Sequence, residues 1–471
     1  MTLSPELLQR FVRIVGEKNA LGANDDLAHY VNETRGIFKG ATPLVLKPAS
    51  TAEVSSILMV ANETRTPIVP QGGHTGHVAG GLPDESGTQI VLATERMNTI
   101  REIDPAGNTM TVEAGVILQT IQEKAAEHDR LFPLSLGAQG SCQIGGNIST
   151  NAGGTGVLAY GNTRALVLGV EAVLPNGAIW NGLRKLKKDN TGYDLKDLFI
   201  GAEGTLGIVT AAVLKLFPAP AGKEIAWAGL KSPAAALKFL EIAQGKAGNS
   251  LTAFELVPRR GIEFLTKHFP KYPDPLASAH PWYVMAEISS GRSAEDAREL
   301  TEDIFSAAFE HDVVQDAVLA GSLAQQAAFW GMREDLSLAQ RPEGASIAHD
   351  ISVPVHAIPE LISRGEKAVL EVVPTARMMA FGHLGDGNIH FNFSQPTDME
   401  KEAYLAHRSA VNEAVYSLVL ELGGSISAEH GIGRLKRDLM ARTKDPVELT
   451  LMRQIKQTLD PHGIMNPGKV V

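Results

Sequence analysis

The chain reads as an α+β protein of two or three domains, and three observations predict it. From about residue 45 to 215, short Val/Ile-rich runs alternate with glycine loops, a pattern of strands joined by tight backbone turns. After Pro218-Ala219-Pro220 the composition changes to longer helical patterns with interspersed apolar strands, which puts a boundary between 218 and 222. A length of 471 residues also exceeds what one ordinary core supports.

Taken in order, Leu7, Leu8, Phe11, Val12 and Val15 recur at helical spacing behind Ser4-Pro5, so the N-terminus predicts a helix and not a secretion signal. Residues 43–48 read as a strand, 51–63 as a helix and 67–70 as a second strand. Further strands are expected at 89–93, 109–114 and 167–174. Beyond the boundary, strands are expected at 282–288 and 377–381, and one helix over 399–422 leading to Gly423-Gly424. The tail 460–468 is rich in turn residues.

Composition narrows the functional classes. A 44% hydrophobic and 20% charged content is that of a soluble globular protein. The net charge of −10 argues against nucleic acid, which needs clustered Lys and Arg, and the basic cluster Arg184-Lys185-Leu186-Lys187-Lys188 is a brief solvated loop. One cysteine, Cys142, excludes an intrachain disulfide and fits a reducing compartment. No apolar run approaches a membrane span, so the expected location is cytoplasmic.

Three glycine loops stand out. They are Pro70 to Gly81, Gly137 to Gly154, and Gly201 to Val209. Glycine at this density frees backbone N–H groups to face an anion and lets it approach closely. Each loop alone could serve turns only; three in one domain, separated by strands, favour a diphosphate cofactor threading between them. There is neither a G-x-x-x-x-G-K-[ST] loop nor a G-x-G-x-x-G opening a Rossmann unit, so a different glycine-loop fold must hold it.

A second constellation lies later in the chain. Met378 to Phe381 and Ile389 to Phe393 predict a hairpin around Gly385-Asp386-Gly387, with His390 and Asn392 on one face and His383 across the turn. Ser427-Ala428-Glu429-His430-Gly431 adds a carboxylate beside another histidine. Two imidazoles and one carboxylate suit a divalent ion with open positions for substrate, although two histidines at this spacing alone also describe an ordinary polar hairpin.

These segments occur in a fixed order: the first loop, Gly145 to Gly154, Lys188 to Asp194, Gly201 to Ile208, His383 to Asn392, and Ser427 to Gly431. The ordered set, from about residue 40 to the C-terminus, resembles the FAD-linked dehydrogenases of D-2-hydroxy acids in the vanillyl-alcohol-oxidase flavoprotein superfamily. Within that family the resemblance is strongest to members acting on D-2-hydroxyglutarate, with those acting on D-lactate as near relatives. It implies an N-terminal helical segment (1–40), a two-subdomain FAD-binding domain of PCMH type (41–217), and an α+β cap domain bearing an antiparallel sheet (218–424). A C-terminal segment (425–471) would return to the FAD domain and complete the active site.

The resemblance also implies roles. Pro70, Gly72, Gly73, His74, Thr75, Gly76, Gly145, Gly146 and Asn147 would surround the FAD pyrophosphate, and Ser141, Thr150, Gly153, Gly154, Ile208 and Asn466 the rest of the cofactor, held without a covalent bond. His383, His390 and Glu429 match metal ligands of zinc type; Arg333, Ser337, Asn392 and His430 match residues that touch substrate. His430 would take the hydroxyl proton as general base while hydride passes from C2 to the flavin N5. One departure concerns Ala348, where close relatives acting on D-2-hydroxyglutarate carry a lysine. D-lactate and D-malate therefore stand as alternative substrates, and an electron-transfer subunit of a glycolate-oxidase-type complex as an alternative function. Electron-transfer flavoprotein or a quinone as acceptor, and a homodimer, are the family expectations.

Overall fold

The computed structural model describes residues 3–33 and 35–471, which divide into two compact units. The first comprises residues 1–154, 161–219 and 429–471; the second comprises 155–160 and 220–428.

The first unit opens with the helix Pro5–Val15, where Ser4 Oγ accepts the Leu7 N–H and Pro5 sits at the first turn. Phe11 and Val15 point inward against the helix Thr51–Thr64, itself capped by Ser50. A four-stranded sheet runs in the order Ala20–Leu21, Val45–Leu46, Ile90–Ala93, Ile68–Gln71, with the last three strands parallel. A second, antiparallel sheet orders Ile100–Asp104, Thr109–Glu113, Ile208–Lys215, Val167–Val173 and Ile179–Gly182. These two sheets are the two α+β subdomains that the resemblance implied. Ile208–Lys215 is the strand hidden behind the third glycine loop: seven of its eight residues are buried, so it shows no alternation in the sequence. The C-terminus closes this unit, because Met465 pairs in parallel with Ile68 while Asp460 accepts the Ile464 and Met465 N–H groups.

The second unit is built on an eight-stranded antiparallel sheet. Its order is Asp316–Leu319, Gly222–Leu230, Trp282–Ser290, Leu251–Pro258, Arg377–His383, Asn388–Ser394 and Ser346–Ile347, with Asp350–Ser352 also on Asn388–Ser394. Helices cover both faces. Ala226, Ala228, Val284, Ala286 and Ala380 pack under Pro233–Ala247 and Ala294–Glu310, whereas Trp227, Tyr283, Met285, Met379 and Phe381 pack under Arg259–His268 and Leu323–Ala339. Burial of both faces erases alternation, which is why sequence periodicity finds Trp282–Ser290, Arg377–His383 and Asn388–Ser394 but misses Gly222–Leu230 and Leu251–Pro258. The single helix expected over 399–422 is two, Lys401–Ala406 and Arg408–Glu421, broken at His407. Leu384–Asp386 forms a 3₁₀ turn that closes through Gly387 at φ 89°.

Candidate active site

All three glycine loops border one groove in the first unit, about 1090 Å³ counting its solvent-open mouth. Pro70, Gly72, Gly73, His74, Thr75, Gly76, Gly145, Gly146, Asn147, Thr150 and Ile208 line it, as do Gln71, Cys142 and His430. Ser141, Gly153, Gly154 and Asn466 are not among the lining residues. Asn466 is buried and works as a strut, its Nδ2 donating to the Gly80 and Glu203 carbonyls.

The glycines divide by cause. A Cβ on Gly73 would lie 2.1 Å from the Ser141 carbonyl oxygen, and one on Gly145 would lie 2.7 Å from the Ala114 Cβ, so the protein's own packing requires both. Gly76 and Gly146 have no positive φ and a Cβ there would meet open space. Their missing side chains serve no internal contact and leave room for a ligand. Two buried acceptors, Gln71 Oε1 and Asn147 Oδ1, lack hydrogen-bond partners among the described residues. Such orphan acceptors suit the N–H and hydroxyl donors of a flavin nucleotide, so the groove fits FAD. His74 takes φ 57° and its Nε2 is tied to the Asn32 carbonyl at 2.8 Å.

The loop carrying Glu429 and His430 is fastened within this unit. Glu429 Oε1 accepts the Gly154 N–H at 2.6 Å, and the His430 ring meets the His77 ring edge-on, centroids 4.7 Å apart. Glu203, whose role sequence reading missed, holds the next turn: its two oxygens accept the Ile432 and Gly433 N–H groups at 2.7 and 2.8 Å. Burial pushes the Glu203 carboxyl up, opposed by those two N–H groups and Lys436. The signal available in the sequence was a carboxylate inside a glycine loop.

In the second unit the hairpin forms as expected, with His383 directly opposite Asn388 and Phe381 opposite His390. Cross-strand partners share a face, so His383, Asn388, His390 and Asn392 all do. The His383 and His390 rings lie edge to face with centroids 5.9 Å apart. Beneath them is a group that sequence reading overlooked. Glu255, fully buried and opposite His383 in register, accepts at 2.6 Å from His383 Nδ1 through Oε1 and at 2.6 Å from Arg333 Nε through Oε2. Burial opposes its charge, but the Arg333 guanidinium and the His383 imidazole prevail and hold the carboxyl down to about 2.

Arg333 is thus buried, with its Nε committed to Glu255 and its guanidinium carbon 5.2 Å from the Phe381 ring centroid. Ser337, one turn on in the helix Leu323–Ala339, is exposed. The Asn392 amide is engaged at both ends, by the His349 N–H and by Gln340 Oε1. Ala348 is exposed beside His349, which is buried with Nδ1 bonded to the Phe391 carbonyl.

Comparison with known proteins places this geometry. The FAD binding domain family matches residues 42–182, and the C-terminal domain of FAD-linked oxidases matches 219–470. A mitochondrial D-2-hydroxyglutarate dehydrogenase of Arabidopsis thaliana is 37% identical over 98% of this chain and 80% of its own length. Its counterpart from Danio rerio is 37% identical over 92% and 79%. A D-2-hydroxyglutarate–pyruvate transhydrogenase of Saccharomyces cerevisiae is 33% identical over 100% and 95%. Among solved structures, p-cresol methylhydroxylase superposes at TM-score 0.78 with 17% identity, covering 99% of this chain and 96% of that one, a likeness of fold.

The cytoplasmic expectation is overturned by these relatives, two of which are named as mitochondrial proteins. A single cysteine fits any reducing compartment, so composition could not separate the two. Among the described residues no helix is long and apolar enough to cross a membrane. By its two matched domains, its near full-length relatives and a groove shaped for a flavin nucleotide, the chain belongs to the FAD-linked dehydrogenases of D-2-hydroxy acids.

Proposed function

We propose that this chain oxidises D-2-hydroxyglutarate to 2-oxoglutarate, with a divalent metal ion at His383, His390 and Glu429. The observation that carries the substrate is the 37% identity to a D-2-hydroxyglutarate dehydrogenase over 98% of the chain. His383 and His390 on one face of the hairpin, with His383 backed by a carboxylate, support the ligand reading. Zinc held there would supply Lewis acidity toward a substrate carboxylate and hydroxyl. FAD, bound without a covalent link in the glycine groove, supplies the hydride acceptor.

The chain's own residues do the remainder. His430, on the groove wall, accepts the proton of the 2-hydroxyl as general base. Arg333, steadied through its Nε, offers its terminal nitrogens to a substrate carboxylate, with Ser337 and Asn392 beside the same chemistry. Electron-transfer flavoprotein or a quinone reoxidises the enzyme, and the working form is a homodimer.

A second reading, D-lactate or D-malate as substrate, is favoured by Ala348 in place of a lysine and by a putative D-lactate dehydrogenase of Schizosaccharomyces pombe that is 35% identical over 100% of the chain. Dye reduction by the purified protein with a panel of D-hydroxy acids separates the two. D-2-hydroxyglutarate is expected to lead, and Arg333→Ala to raise KM for diacids far more than for D-lactate. A wild type preferring D-lactate, with Arg333→Ala harming both substrates equally, would overturn the assignment.

A further inference from the structure

We propose that Glu255 is a positioning residue of the candidate metal site, fixing His383 in the tautomer that offers Nε2 as the ligand atom. The inference rests on the reading of His383 as a ligand and adds a residue that the sequence did not flag.

Glu255 lies in Leu251–Pro258, a strand buried at every position and placed between Trp282–Ser290 and Arg377–His383. A carboxylate there costs more than an apolar residue unless its charge is balanced and both oxygens are bonded. Arg333 alone would balance the charge, and an ordinary structural ion pair would need nothing more. Instead the second oxygen is 2.6 Å from His383 Nδ1, and the strand register sets Glu255 directly opposite His383.

The chemistry of that contact has one consequence. An ionised carboxylate can only accept, so Nδ1 must carry a proton. A neutral His383 then has its lone pair on Nε2, the nitrogen on the far side of the ring from Glu255. A carboxylate behind a ligating imidazole fixes the ring's rotation and raises its basicity toward the metal. Arg333 on the other oxygen stops Glu255 from turning away, so one buried carboxylate orients the imidazole and the guanidinium together.

The test uses the full-length FAD-loaded protein. With ¹⁵N-labelled histidine, the wild-type His383 signal, assigned by its loss in His383→Gln, is expected to show Nδ1 protonated and Nε2 unprotonated. Zn²⁺ affinity, measured by competition with a chelating dye, is expected to fall about 10- to 100-fold in Glu255→Gln. That variant also strips Arg333 of its partner, so Glu255→Asp, which keeps the charge, is the second probe; it should retain the tautomer with a smaller loss. An Nε2-protonated His383 in wild type, or Glu255→Gln binding Zn²⁺ as tightly as wild type, overturns the role of Glu255 alone. A wild type that binds no Zn²⁺ overturns the ligand reading itself, and this inference with it.

Discussion

The two units prepare their chemistry by opposite means. The groove of the first is walled by backbone: glycines at 72, 73, 76, 145 and 146 bring peptide groups to the surface, and the side chains nearby are mostly neutral. The second unit sets a full charge at the centre of its sheet and balances it with an arginine and a histidine drawn from a helix and a neighbouring strand. Backbone recognition tolerates little shape change and no steric addition, whereas a buried ion pair tolerates no loss of a partner. Substitutions should therefore fail differently in the two regions.

The largest effect is expected on turnover. His430→Ala should lower kcat by about 100- to 10,000-fold, the usual contribution of a positioned general base, while the flavin absorbance stays. Glu429→Gln, which keeps an acceptor for the Gly154 N–H and removes only the charge, and treatment with a chelator should also abolish activity without releasing FAD. Near wild-type turnover in metal-free Glu429→Gln would reassign the trio to a structural polar cluster.

Next comes stability in the second unit. Arg333→Ala leaves Glu255 buried with only His383 against its charge, and should cost about 3–5 kcal/mol in urea unfolding. The pH sign follows from the same carboxylate. Its folded value is depressed to about 2, so its contribution is present above the ordinary glutamate range and is lost as pH falls from about 4.5 toward 2. The stability gap between wild type and Glu255→Gln should close over that window; a gap unchanged down to pH 2 would contradict the pairing.

The smallest effects sharpen the comparison inside the groove. Gly73→Ala drives a methyl into a backbone carbonyl and should destabilise by about 1–3 kcal/mol. Gly146→Ala meets open space within the helix Ile144–Thr150, so unfolding should be unchanged or slightly harder, while FAD affinity drops. Equal effects of the two on stability would mean that both glycines serve packing alone. Acid precipitation should leave the yellow colour in the supernatant, as expected with His74 bonded to the Asn32 carbonyl.

Much of this was legible in the chain. Glycine loops declare themselves because φ freedom and the lack of a Cβ belong to one residue type, and the His383–His390 hairpin follows from strand periodicity over adjacent residues. Helices Pro5–Val15 and Thr51–Thr64 were readable from a serine cap and an apolar stripe. Strands Gly222–Leu230 and Leu251–Pro258 were not, because helices cover both faces of their sheet and leave no alternation to detect.

By itself, then, the sequence determined the α+β class, the three glycine loops, the family and the candidate ligands, all of which depend on residue type at short spacing. Only the tertiary structure decided that Gly154 holds Glu429, that Glu203 pins the turn after His430, and that Arg333 is committed to Glu255. These contacts span 275, 229 and 78 residues. Which carboxylate meets which donor at that range depends on strand register and helix packing, and no local pattern in the chain encodes it.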